Sequence, residues 1–188
     1  MNALNATLRT QKILWSALTL APLAYLGVAL SAPQTDAAAP PLILPVLGAV
    51  AAMTAALSFI LPEKLFASAL HRRVGHDLRI TQVASSAPVL AEGGFRDASP
   101  SVNAVEDPVA ALTLAAQLDM SPLIITLALR ESIAIHGLVL AMLGFSMRVA
   151  FGFIAVSVAL MILRRPSLEA LRARVEQAID ARVPSPQG

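Results

Sequence analysis

The sequence predicts an all-α polytopic membrane protein: four transmembrane helices, a cytoplasmic linker and a C-terminal amphipathic helix. Three observations predict it. Of 188 residues, 56% are hydrophobic and 14% charged, whereas soluble domains run nearer a quarter charged. The apolar residues are gathered into four blocks of spanning or near-spanning length, and a hydrocarbon core of about 30 Å needs ~20 such residues. Lys and Arg cluster beside those blocks and avoid the segments between alternate ones, the asymmetry that orients membrane helices.

Residues 1–12 are the cytoplasmic N-terminus, with Arg9 and Lys12 just before the first block. Residues 13–61 form the first transmembrane hairpin, its spans running 13–32 and 42–61. Pro22 and Pro45 lie inside these spans, where neighbouring groups re-satisfy the freed carbonyls. A cleaved signal peptide is the rival for the first block, but signal cores are typically 7–15 residues and Pro33 follows the best cleavage position. The segment 33–41 holds Asp36 and no Lys or Arg.

Residues 62–121 read as a cytoplasmic linker with short helices. Lys64, Arg72, Arg73 and Arg79 follow the second span, and Glu92–Phe95 and Ala98–Ser101 have the Gly, Ser and Pro content of a linker. Asp107-Pro108 opens an Ala/Leu-rich helix, with Asp107 as N-cap and Pro108 at the first helical position, and Ser121-Pro122 repeats the device. Residues 122–163 form the second transmembrane hairpin. Its second span, 149–163, is short and crosses only if Arg148 and Arg164 lie at opposite interfaces or the bilayer thins. Residues 164–188 are a C-terminal amphipathic helix and tail, with Leu168, Leu171, Val175 and Ile179 on one stripe and charges around it. That pattern lies on a membrane surface or a partner. Both termini are expected in the cytoplasm and the protein in the inner membrane; Arg148 is the one cation on the wrong side.

Several function classes drop out. With no cysteine, disulfides, thiolate metal sites and thiol chemistry are excluded. Aromatics are only 4% of the chain, against a barrel with aromatic girdles. No basic face with interleaved aromatics points to nucleic acid. His71, His76 and Asp77 stand among Arg72, Arg73 and Arg79; these like charges oppose a bound cation, and the spacing fits no metal-ligand pattern. No G-x-S-x-G, H-E-x-x-H, C-x-x-C or P-loop occurs, so no enzyme and no cofactor is expected.

The chemistry in the membrane sits in the third span, in the run Ala128-LRESIAIHGLVLAMLG. Intramembrane ionisable groups are costly and mark protein interiors, wet cavities or ion paths. Glu131 lies ~13 Å from the start of the span at 1.5 Å per residue. Arg130 is ~100° round the helix, and its stem leans toward the helix N-terminus, so it is expected to snorkel to the cytoplasmic interface. His136 is ~140° round from Glu131, too far to pair with it on one helix. In the second span Gly48, Ala52 and Ala56 recur every fourth residue, as do Ala51 and Ala55, a spacing that brings helices together. Equal rise then puts Glu131 level with Ala51, Ala52 and Ala55.

The residues Glu131, Ala134, Ile135, His136, Gly137, Leu138 and Val139 resemble the carboxylate-bearing helix of the proteolipid subunit c of rotary ATP synthases, with His136 in the usual tyrosine place. The resemblance implies a proton- or ion-exchanging role for Glu131. The chain departs from that family in its long 62–121 segment, its two added spans, the lack of alternating glycines in the second span, and Arg130 beside the carboxylate. Two readings follow: a non-catalytic membrane interaction or scaffold protein whose polar residues fix helix packing, or a proteolipid-like subunit binding a proton or ion at Glu131. Partners are the lipid bilayer and either a second copy or another membrane protein.

Overall fold

The computed structural model describes residues 2–31, 40–84 and 101–184; the expected 33–39 turn and the linker runs Glu92–Phe95 and Ala98–Pro100 lie outside them. Six helices and a β-hairpin make up the described chain. Helix α1 (Asn2–Ser31) is 30 residues long and passes through Pro22 without breaking. Helix α2 (Ile43–His71) continues ten residues past the expected end of its span, through Pro62. Its buried residues Ala51, Ser58, Pro62, Phe66 and Leu70 trace one stripe at helical spacing, so α2 gives a single face to the protein and the rest to its surroundings.

The segment after α2 is not purely helical, which corrects the all-α expectation. Strands β1 (Ile80–Ala84) and β2 (Ser101–Val105) pair antiparallel, with Ile80 opposite Val105 and Ala84 opposite Ser101. Helix α3 (Pro108–Leu118) begins as its sequence dictates: the Asp107 carboxylate accepts from the amides of Val109 and Ala110 at 3.0 and 2.9 Å. Helix α4 (Met120–Met142) follows after Asp119 alone. The expected Ser121 cap is overridden, since Ser121 already lies inside α4 and no side chain caps that start. Helices α5 (Met147–Ile162) and α6 (Leu168–Ile179) complete the order.

Three helical stretches, Ala3–Ser31, Ile43–His71 and Pro108–Met142, are long and apolar enough to cross a membrane; α5, with 16 residues, is apolar but shorter. Large apolar side chains point outward from this bundle, among them Leu20, Met53, Phe151 and Ile162. Contiguous apolar surface of this kind is rare on water-soluble monomers and suits a lipid surround. Helix α4 is the centre, packing on α1, α2 and α5. Gly137 marks a close approach: a Cβ there would stand 2.8 Å from both the Ala150 carbonyl and the Phe153 Cβ. Only hydrogen leaves α4 and α5 this close.

A second core caps one end of the bundle. Leu4 and Leu8 of α1, Phe66 and Leu70 of α2, Ala111, Leu112 and Ala115 of α3, Leu171 and Val175 of α6, and Val183 of the tail form one buried cluster. Both chain ends therefore lie at the same end of the molecule. Helix α6 is not peripheral, as its narrow stripe suggested; Leu171 and Val175 are buried, and Leu168 stays at the surface. After Asp180, which ends α6 in the left-handed region (φ +49°), the tail lies along β2. The Arg182 amide donates to the Asn103 carbonyl at 2.8 Å, and the Val105 amide donates to the Arg182 carbonyl at 3.0 Å.

Candidate functional site

Arg130 and Glu131 are consecutive on α4, so their side chains leave the helix ~100° apart and meet different neighbours. Arg130 does not reach an interface. It is 2% exposed, the largest fully buried side chain among the described residues. Its Nε donates to Oγ of Ser58 on α2 at 3.2 Å, and its Nη1 donates to the Leu160 carbonyl on α5. The Phe59 ring lies with its centroid 4.8 Å from the guanidinium carbon. Ser157 of α5 donates back to the Arg130 carbonyl at 2.6 Å, and Ser58 donates onward to Ala55 at 2.8 Å.

This arrangement has a clear electrostatic logic. A buried cation must be paired or hydrogen-bonded, and Arg130 has no ion pair among the described residues. Two oxygen acceptors and an aromatic face stand in for a carboxylate. Ser58 and Leu160 hold the head group inside the bundle, so it does not snorkel to the surface as expected.

Glu131 turns toward α1. It is half-buried, and its Oε1 accepts from the Tyr25 hydroxyl at 2.5 Å; Oε2 has no hydrogen bond among the described residues. The expected packing of Glu131 against the α2 alanines is therefore not found. Ile133 occupies that place, sharing a groove with Ala51, Ala52 and Ala55. The face read for Glu131 was wrong. His136 joins neither group: its Nδ1 is enclosed, with no partner among the described residues.

The helix-packing candidates divide. Ala51 is buried and Ala55 half-buried on the face toward α4, while Ala52 and Ala56 are exposed. A Cβ at Gly48 would meet nothing within 4 Å. The Gly48, Ala52 and Ala56 stripe thus lies toward the outside, with Ala52 at the rim of the groove beside Ile133, and Ala51, Ala55 and Ser58 make the contact.

A second polar cluster, missed in the sequence, joins the cap to the bundle. Asp119, between α3 and α4, accepts from Arg174 of α6 at 2.6 Å and from Arg164 after α5 at 3.4 Å. Glu63 of α2 accepts from Arg164 at 2.7 Å and Arg174 at 3.0 Å. Arg174 also lies 4.3 Å from the Phe66 ring centroid. Nearer α1, Gln11 donates to the Ala116 carbonyl and Trp15 to the Met161 carbonyl, both at 2.9 Å. Alternating sign at one level was the available signal, but Glu63, Asp119, Arg164 and Arg174 are too far apart in sequence to suggest it.

His71, His76 and Asp77 do not converge on a common point. His71 Nδ1 donates to Ala67 at 2.7 Å, while His76 and Arg73 each donate to Asp77 at 2.8 Å. These two donors, His76 first, hold the Asp77 carboxyl below its usual range. No protein family, curated protein or solved structure matches this chain.

Proposed function

We propose that this is a non-catalytic integral membrane interaction or scaffold protein of the inner membrane, with four spans, cytoplasmic termini and a buried polar site in its third span. The observation that carries the reading is the occupation of Arg130. Its side chain and carbonyl are spent on Ser58, Leu160 and Ser157, contacts that hold helices together. The cap built on both chain ends and the outer face of α2 are the surfaces for partners, with the bilayer as the first partner and a second copy or another membrane protein as the next. The fourth span, α5, rises ~24 Å at 1.5 Å per residue and has Arg148 and Arg164 at its two ends. The orientation rests on the Lys/Arg asymmetry.

One observation favours a second reading, a proteolipid-like proton- or ion-binding subunit. Oε2 of half-buried Glu131, without a hydrogen bond among the described residues, leaves a carboxylate able to take another ligand beside Tyr25. Carbodiimide labelling separates the two. The scaffold reading expects Glu131 labelling that Na⁺ does not block, and a Glu131→Gln variant that accumulates normally, because an amide oxygen still accepts from Tyr25. Labelling that rises with acidity and is blocked by Na⁺ would shift the conclusion to an ion-binding subunit.

A further inference from the structure

We infer that the groove between α2, α4 and α5 holds one acyl chain of an anionic glycerophospholipid whose phosphate rests on Arg148. The inference rests on the membrane reading above and adds a ligand to it. The groove has a volume of about 430 Å³, and its walls include Ala51, Ala55, Ile133, Gly152, Phe153 and Val156. Small residues on α2 and a glycine on α5 leave the space between the helices hollow; a Cβ at Gly152 would meet nothing within 4 Å. A hollow, apolar slot in a bundle surrounded by hydrocarbon fits a hydrocarbon chain.

Arg148 gives the slot a charged mouth. It lines the groove from the first turn of α5, is exposed, and forms no ion pair or side-chain hydrogen bond among the described residues. The α5 N-terminus, where Arg148 is the second helical residue, has no side-chain cap at Ser146, so the positive end of the helix adds to the charge of the guanidinium. Phosphate is the group that such a pairing binds. The same residue is the cation that violates the Lys/Arg asymmetry of the sequence, and a lipid phosphate at the interface accounts for its place.

Charge favours a lipid as the occupant, because the exposed cation at the mouth of the groove calls for an anion. A phospholipid supplies the chain and the anion in one molecule, with the anion at the membrane surface.

The test uses the full chain in detergent and native mass spectrometry with dioleoyl phosphatidylglycerol and dioleoyl phosphatidylcholine. Phosphatidylglycerol should be retained in preference. Arg148→Gln should weaken it about tenfold, as expected for one lost charge-assisted contact, and erase the preference. Gly152→Leu should lose both lipids; the open space at its Cβ keeps the fold intact, which an unchanged Trp15 fluorescence melt verifies. Absence of lipid binding, phosphatidylglycerol retained by Gly152→Leu, or a preference that survives Arg148→Gln would overturn the inference. A wild-type dimer that Gly152→Leu dissociates would assign the groove to a second copy. Release of the chain from membranes by alkaline carbonate would instead sink the membrane reading, whatever the lipid result.

Discussion

Ser157 donates to the backbone carbonyl of Arg130 at 2.6 Å while the Arg130 side chain donates to Leu160, three residues further along α5. One residue of α4 thus ties α5 through both its backbone and its side chain. With Ser58 on the other side, the cation lies where three helices meet.

Arg130→Ala should therefore be the most damaging single change in the bundle. It leaves a cavity and strips a partner from Ser58, so the cost is about 3 kcal/mol by analogy with large-to-small core substitutions. Ser157→Ala, which deletes one hydrogen bond, should cost about 1 kcal/mol. Thermal unfolding in detergent, followed by the fluorescence of Trp15, gives both; equal melting points for Arg130→Ala and wild type would refute the central role of the guanidinium.

Gly137→Val should drive α5 away from α4. Its Cβ would arrive 2.8 Å from a backbone carbonyl that cannot rotate aside, and overpacking of this kind costs about 1–3 kcal/mol. Gly48→Ala is the control. With open space around it, the substitution should leave stability unchanged or raise it by up to about 1 kcal/mol through helix propensity. The reverse order in a melting series would mean that the outward stripe of α2 is the tighter contact.

Arg174→Ala should destabilise the cap more than Arg73→Ala destabilises the end of α2. Arg174 serves the nearly buried Asp119 as well as Glu63 and covers Phe66, whereas the Arg73–Asp77 pair is open to water. Exposed pairs contribute about 0–1 kcal/mol; removing a partner from a buried carboxylate costs about 1–3 kcal/mol. Truncation after Arg165 should leave the chain in the membrane but uncover Phe66 and Leu70, seen as faster proteolysis at the capped end. Equal protease resistance with and without α6 would contradict the docking.

Reporter fusions at Asp36 and Gly94 should report opposite sides of the membrane, with Gly94 cytoplasmic. The warrant is the cluster of Lys64, Arg72, Arg73 and Arg79 against a segment without Lys or Arg. Gly94 on the outside would reverse the proposed orientation.

Much of the architecture was legible because it depends on local information. Helix-forming apolar blocks, the Asp107 cap and the stripe of α6 each rest on residues within a few turns of one another. The hairpin was less legible: Ile80-Thr-Gln-Val and Val102-Asn-Ala-Val carry β-branched residues and some alternation, but each strand has only five residues and forms by pairing across the segment between them. The tail beside β2 extends that sheet from still further along the chain.

By itself, then, the sequence determined where apolar helices form and that a cation and a carboxylate lie together deep in one of them. Hydropathy and helical period set these, and both are properties of consecutive residues. The tertiary structure decided which member of the pair is buried. Helical geometry fixes only the angle between Arg130 and Glu131; the positions of Ser58, Phe59, Leu160 and Tyr25 around α4 determine which angle faces inward. Equal rise per residue matches levels along two helices, but the face the alanines meet is a rotation that no count along the chain contains. Ile133 took the place read for Glu131 because α2 and α5 close on that side of α4, while Tyr25 waits on the other.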